Sequence, residues 1–139
     1  HNSIKKMLDI YRKSKLDAIF LDNIVDGSGF EIFSIDSMRE SLKFAKGDAK
    51  EHVTKYIRLN KKKFNINKFN GPKELFRKDL RLTIDNPEDL IVCKAIYDKF
   101  KKDAPLFSLK KIIKFLDKNP KYKRLTSKYT LDGYKTMYL

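Results

Sequence analysis

Leu80, Leu82 and Ile84 alternate with Arg81 and Thr83, and the alternation stops at Asp85-Asn86-Pro87-Glu88-Asp89-Leu90. A period of two is the signature of a half-buried strand, whereas proline at the first helical position with two acids behind it marks a helix start. The segment therefore predicts a short strand running into the mouth of a helix, and it confines the chain to α/β architectures. Ligands of open α/β sheets gather at the carboxyl ends of strands, so Asp85 stands where a metal ion or a hydroxyl is held. The same residues carry a second reading: Asp85 or Asn86 caps the helix, and Asp89 complements its dipole as a first-turn acid.

The remaining sequence supplies elements of both kinds. Residues 3–13 place Ile4, Met7, Leu8 and Tyr11 at helical spacing behind a capping Ser3. The apolar run 18–21 predicts a buried strand, 22–29 a turn-rich loop, and 30–33 a second strand. Ile35, Met38, Leu42 and Ala45 mark a helix capped by Ser34 and ended by Gly47. Asp48 with Glu51 predicts a capping box for a third helix carrying Val53, Tyr56 and Ile57. Phe64, Ile66 and Phe69 alternate in a lysine-rich edge strand that Gly71-Pro72 breaks. A helix over 87–101 follows, then one whose Leu109, Ile112, Ile113 and Leu116 share a face between a capping Ser108 and a terminating Asn119-Pro120. Beyond Lys121 no period is evident, so residues 1–118 are expected to form the domain and 119–139 a tail. Strands alternating with helices argue for mixed α/β layers, with a hairpin-like pair near 30–34 as an antiparallel edge or a homodimer contact.

The length of 139 residues is one domain's worth, and 41% hydrophobic content suits a folded protein. No apolar run is long enough to span a bilayer and no signal-peptide pattern opens the chain, so a soluble, cytoplasmic protein without membrane contact is expected. Cys93, the sole cysteine, excludes an internal disulfide. It shares a helix with Leu90, Ile96, Tyr97 and Phe100, which points to a packed and inert thiol. Thirty-two basic against 18 acidic residues give a formal charge of +14, which draws polyanions. Yet the cations are mostly lysines spread over every predicted helix, with no zinc-finger spacing, ribonucleoprotein signature or arginine-rich arm. A basic nucleic-acid-binding or non-catalytic interaction module is accordingly the alternative reading and not the leading one.

Three segments carry a family resemblance. Asp26-Gly27-Ser28-Gly29-Phe30-Glu31-Ile32-Phe33-Ser34, then Lys50-Glu51-His52-Val53-Thr54-Lys55-Tyr56-Ile57, then residues 81–90 follow the order and rough spacing of the cytidylyltransferase-like family. That family includes the enzymes that activate sialic acid and related sugar acids with CTP, and the chain most resembles its spore-coat polysaccharide type. The resemblance implies a Rossmann-like fold of the nucleotide-diphospho-sugar transferase kind, of which this chain is the C-terminal part. It also implies CTP and a sugar acid as substrates, Mg2+ as cofactor, and an upstream half bearing the glycine-rich nucleotide loop. The chain opens on His1 without a methionine, which suits a tag remnant or a processed fragment.

Carried onto single positions, the resemblance gives Asp85 the divalent cation. Asp26, Gly27, Glu31, His52 and Arg81 become substrate-binding residues, with no catalytic residue among them. Each has an ordinary structural reading beside it. Asp26-Gly27 is common turn chemistry, and His52 at a helix start bonds a backbone carbonyl. Glu31 is a candidate because it points opposite Phe30 and Ile32 along its strand. Arg81 on a strand makes an ion pair as readily as a phosphate contact. The chain departs from the family at Thr83, where a second carboxylate is often found, and at Gly29, where an acid is common.

Overall fold

The computed structural model of the protein describes residues 2–105 and 108–137. They divide into two compact units, one of residues 2–22 and Phe30–Gly71, the other of Asn23–Gly29 and the described part of 72–137.

The first unit is built from α1 (Asn2–Lys13), β1 (Ala18–Asp22), β2 (Glu31–Phe33), α2 (Ile35–Phe44), α3 (Asp48–Glu51), α4 (Lys55–Leu59) and β3 (Ile66–Asn70). Its sheet has the order β2-β1-β3. Strand β2 lies antiparallel to β1 with Ala18 opposite Phe33, and β3 lies parallel to it with Ala18 beside Ile66. The result is the small mixed sheet with flanking helices that the sequence predicts. β1 takes the centre because its apolar run can be buried on both faces, and all five of its residues are buried. Ala18 and Phe20 pack with Ile57 of α4 and with Phe64, and Phe33, Tyr56 and Ile66 close over them. Each large side chain buried in this way contributes about 1.5–3 kcal/mol of transfer free energy.

Several expected boundaries move. Helix α1 begins before Ser3, which is a buried residue of its first turn rather than its cap. The Ser34 cap forms, its hydroxyl accepting the Ser37 N–H at 3.0 Å. Helix α2 ends at Phe44 because Ala45 is extended, and Gly47, at φ +53°, opens α3 instead of closing α2. No capping box forms at Asp48, which lies inside α3. His52 is extended, so the predicted third helix is two short ones.

The second unit comprises α5 (Pro87–Phe100), α6 (Leu109–Lys118) and α7 (Pro120–Met137), with 3-10 turns at Lys73–Leu75 and Lys101–Asp103. Helix α7 packs on α5 and α6. Phe115 of α6 bridges Phe100 and Tyr122 at ring distances of 5.9 and 5.8 Å. Residues beyond Asn119, expected to be an aperiodic tail, are thus helical through Met137. Pro120 occupies the first helical position, where its missing N–H has no partner to lose, and it starts a helix as it separates two.

The strand expected over 80–84 is reduced to one parallel bridge between Asp26 and Arg81. The Leu82 N–H donates to the Asp26 carbonyl at 2.9 Å. A strand needs a partner that runs on beside it, and here the facing loop turns away at Gly27, φ +81°. A Cβ on Gly27 would lie 2.6 Å from the Leu82 carbonyl carbon, so the close approach of these two segments requires glycine. No helix among the described residues is long and apolar enough to cross a membrane.

Candidate functional site

In the second unit the expected site residues Asp26, Gly27, Arg81 and Asp85 come together, joined by Asp89. The organising event is local. Asn86 caps α5, Pro87 follows it, and Asp89 reaches back so that its Oδ2 accepts the N–H groups of Asp85 at 3.1 Å and Asn86 at 3.0 Å. Asp89 is 1% exposed, and a carboxylate so buried needs a cation. Arg81 supplies it, Nε donating to Oδ1 at 3.1 Å. The same guanidinium turns Nη1 toward Asp26 Oδ2 at 3.5 Å and pairs through Nη2 with Asp85 Oδ2.

One guanidinium thus faces three carboxylates, a formal −2 when all are ionised (three negative charges against one positive). The structure separates them electrostatically. Burial pushes Asp26 above the ordinary carboxylate value, the charges of Asp85 and Asp89 push the same way, and Arg81 only partly offsets them. Burial also pushes Asp89 upward, but there the Asp85 N–H, Arg81 and Asn86 outweigh it and its pKa falls. Asp26 is the group suited to hold a proton and Asp89 the group fixed as an anion.

Asp85 differs from both. Its side chain is 66% exposed, and one of its oxygens is on Arg81. Two residues earlier, Thr83 buries a hydroxyl that has no hydrogen-bond partner among the described residues. Among the described residues no group of three or more histidines, cysteines or acids is placed to hold a metal ion. Asp85 alone offers one open carboxylate oxygen, and a hard cation there would need phosphate and water to complete its shell. Arg81 points into the protein; among the two roles open to it in the sequence, the ion pair is the one its geometry fills.

In the first unit Glu31 belongs to a different cluster. It sits on β2 opposite Phe20, and its Oε1 accepts from Arg58 Nε at 3.2 Å and Nη2 at 2.6 Å. Arg58 also donates to Asp22 Oδ1 at 3.2 Å, and its guanidinium lies 3.7 Å from the centre of the Phe20 ring. Lys68 approaches the other Asp22 oxygen at 3.3 Å. Arg58 and Asp22 are 5% and 4% exposed, so the fork is locked in place, and Glu31 is the member of the trio that keeps solvent access.

His52 is half-buried at the end of α3, its N–H donating to the Asp48 carbonyl and its own carbonyl accepting from Lys55. No hydrogen bond or ion pair joins its ring to Glu31 among the described residues. Cys93 on α5 is partly buried, and burial raises its thiol pKa, as an inert thiol requires.

Arg58, Asp22 and Asp89 have no site role in the sequence reading. A signal for the arginine exists: only six of the 32 basic residues are arginine. A guanidinium fork serves several carboxylates where an ammonium serves one, so an arginine is a candidate for buried ion pairing, a role that two of the six, Arg58 and Arg81, fill. Asp89 is the third residue after Asn86 at a helix start, which flags its capping bonds and not its buried partner.

No protein-family model matches the chain. It is 33% identical over 135 residues to an uncharacterized protein of Methanocaldococcus jannaschii, an alignment covering 95% of this chain and 54% of that protein. In structure it is similar to a cytidylyltransferase from Leptospira borgpetersenii, with a TM-score of 0.66 and 25% identity, over 87% of this chain and 52% of that one. The chain spans about half the length of both proteins. The structural likeness supports the cytidylyltransferase-like family and fits a fold of the nucleotidyltransferase kind.

Proposed function

We propose that this chain is the substrate-binding part of a nucleotidyltransferase that joins a sugar acid to CMP from CTP, releasing pyrophosphate, for surface polysaccharide or glycan synthesis. The observation that carries the reading is the likeness in structure to a cytidylyltransferase over 87% of the chain. The open Asp85 carboxylate at the start of α5 supports it.

In this reading Asp85 would be the residue that holds Mg2+, which would supply charge neutralisation for the phosphates. The sugar hydroxyl attacks the α-phosphorus, a new P–O bond forms as the bond to pyrophosphate breaks, and the hydroxyl proton leaves to solvent or a base. Arg81 orients Asp85, and Asp89 holds Arg81 in turn. Glu31, fixed through one oxygen by Arg58, accepts sugar hydroxyls with the other. His52 donates to a sugar oxygen.

Pyrophosphate release from CTP, ATP, GTP and UTP, measured for the full-length gene product with Mg2+ and a panel of sugar acids, tests the activity. Release confined to CTP and dependent on a sugar acid is expected; equal release from all four, or none, sinks the reading. His52→Ala should then raise KM for the sugar far more than KM for CTP. Unchanged sugar kinetics with a stability loss of about 1 kcal/mol would make His52 structural.

A further inference from the structure

Strands β1 and β3 run parallel, and at their carboxyl ends, where ligands of open α/β sheets gather, one face of the sheet carries a closed set of charges. Glu31 of β2, Phe20 of β1 and Lys68 of β3 stand in one row across the three strands, and Asp22 follows Phe20 by two residues on the same face. Arg58 reaches over this face from α4, its guanidinium on the Phe20 ring and its Nη1 and Nη2 each 3.2 Å from Asp22 Oδ1. Two carboxylates, Asp22 and Glu31, meet two cations, Arg58 and Lys68, so the formal charge of the set is zero. Burial divides it: the side chains of Asp22 and Arg58 are each 6% exposed, and that of Glu31 is 27% exposed.

The contact between Arg58 and Glu31 is not that of a pair made for stability alone. A guanidinium and a carboxylate that only hold a fold together most often pair through two parallel bonds, one to each oxygen. Here Nε and Nη2 both donate to Oε1, at 3.2 and 2.6 Å, and among the described residues no hydrogen bond or ion pair reaches Oε2. The fork sets the direction of the carboxyl group through one oxygen and leaves an acceptor-only atom beside it. An ammonium brought to Oε2 would face the Arg58 charge across the same carboxylate, and an anion would face Glu31 itself. An uncharged hydroxyl donates there without either penalty.

We propose that Arg58 and Asp22 are the positioning residues of a hydroxyl-selective subsite: Asp22 holds the Arg58 guanidinium, Arg58 aims Glu31, and Oε2 accepts one uncharged hydroxyl of the substrate, whose carboxylate lies elsewhere. The subsite rests on the proposed sugar-acid activity and names which part of that substrate meets this face of the sheet.

Steady-state kinetics of the full-length gene product, with the sugar acid of the panel that turns over fastest and with its mono-deoxy analogues, tests the subsite. Glu31→Gln keeps an oxygen for Arg58 but sets an N–H donor where Oε2 stood. It should raise KM for the sugar acid roughly tenfold to hundredfold, with KM for CTP unchanged and the fold intact by circular dichroism. One deoxy analogue should show the same rise in KM with the wild type and no further rise with Glu31→Gln. Arg58→Lys keeps a charge for Asp22 but cannot fork onto Glu31, so it should raise KM for the sugar acid alone and add nothing in a double variant with Glu31→Gln. The analogue comparison needs only the wild type and Glu31→Gln, so it decides the question even where Arg58→Lys does not fold. With CTP-dependent turnover standing, any of three results overturns the proposal: additive losses in the double variant, deoxy analogues that all behave alike in both proteins, or an effect of Glu31→Gln on CTP instead of the sugar acid. Absence of turnover with every sugar acid would sink the activity and the subsite together.

Discussion

Asp85 and Asp89 lie four residues apart and both pair with the Arg81 guanidinium, yet one is open and the other almost wholly enclosed. Removing a partner from a buried pair leaves an uncompensated charge, so Asp89→Ala is expected to cost about 3–5 kcal/mol in urea unfolding. Asp85→Asn removes only an exposed pair and should cost under about 1 kcal/mol, while abolishing CTP-dependent turnover on the proposed reading. Large destabilisation by Asp85→Asn, or normal turnover, would contradict that division. Asp26 gives a pH test. An acid whose folded-state pKa is raised penalises the fold above that value, and the penalty vanishes as pH falls below the unfolded value of about 3.8. Asp26→Asn should therefore gain stability over wild type at pH 7 and lose that advantage near pH 4, as chemical unfolding at both pH values would show.

Among the elements, α6 and α7 are tied to the segment before α5 by a third arginine network. Arg77 donates to Asp79 at 2.7 Å and to Asp117 of α6 at 2.6 Å, and Lys123 of α7 contacts both acids at 3.2 Å. Hydrogen bonds from Arg77, then Lys123, hold both Asp79 and Asp117 down to about 2. A depressed acid stabilises the fold above its unfolded value and loses that contribution as pH falls through its folded value. The melting temperature should thus drop between about pH 4 and pH 2. Asp117→Asn should start lower at neutral pH and fall less across the same window. Equal slopes for the variant and wild type would show that the network does not couple to stability. Both acids are substantially exposed, at 50% and 41% of their side chains, so the effect is modest.

For the molecule as a whole, charge is the dominant property. A formal +14 attracts any polyanion, but the lysines form a dispersed field and Arg58, Arg77 and Arg81 are all engaged with carboxylates. Binding to single- or double-stranded DNA should be weak, indifferent to sequence, and steeply reduced by salt. Fluorescence anisotropy with labelled oligonucleotides at about 50 and 200 mM salt would measure it. Tight binding that survives at physiological salt would favour a nucleic-acid module over the proposed nucleotidyltransferase.

The sequence by itself determined the elements whose signals are local. The apolar run 18–21, the Ser34 and Ser108 caps and the Asn86-Pro87 helix start act through neighbours in the chain, and each forms as its residues dictate. The grouping of Asp26, Gly27, Arg81 and Asp85 was legible only as a set of resembling motifs, since no local rule brings residues 55 positions apart together. Tertiary structure decided the rest. It reduced the alternating 80–84 segment to a single bridge because a strand exists only beside a partner, and Gly27 turns that partner away. It turned Ile35, Met38 and Leu42 of α2 outward, because periodicity fixes which residues share a face but not which face meets the core. And it gave Glu31 to Arg58 and Asp85 to Arg81, because a buried guanidinium must be satisfied by whatever carboxylates the fold sets within reach.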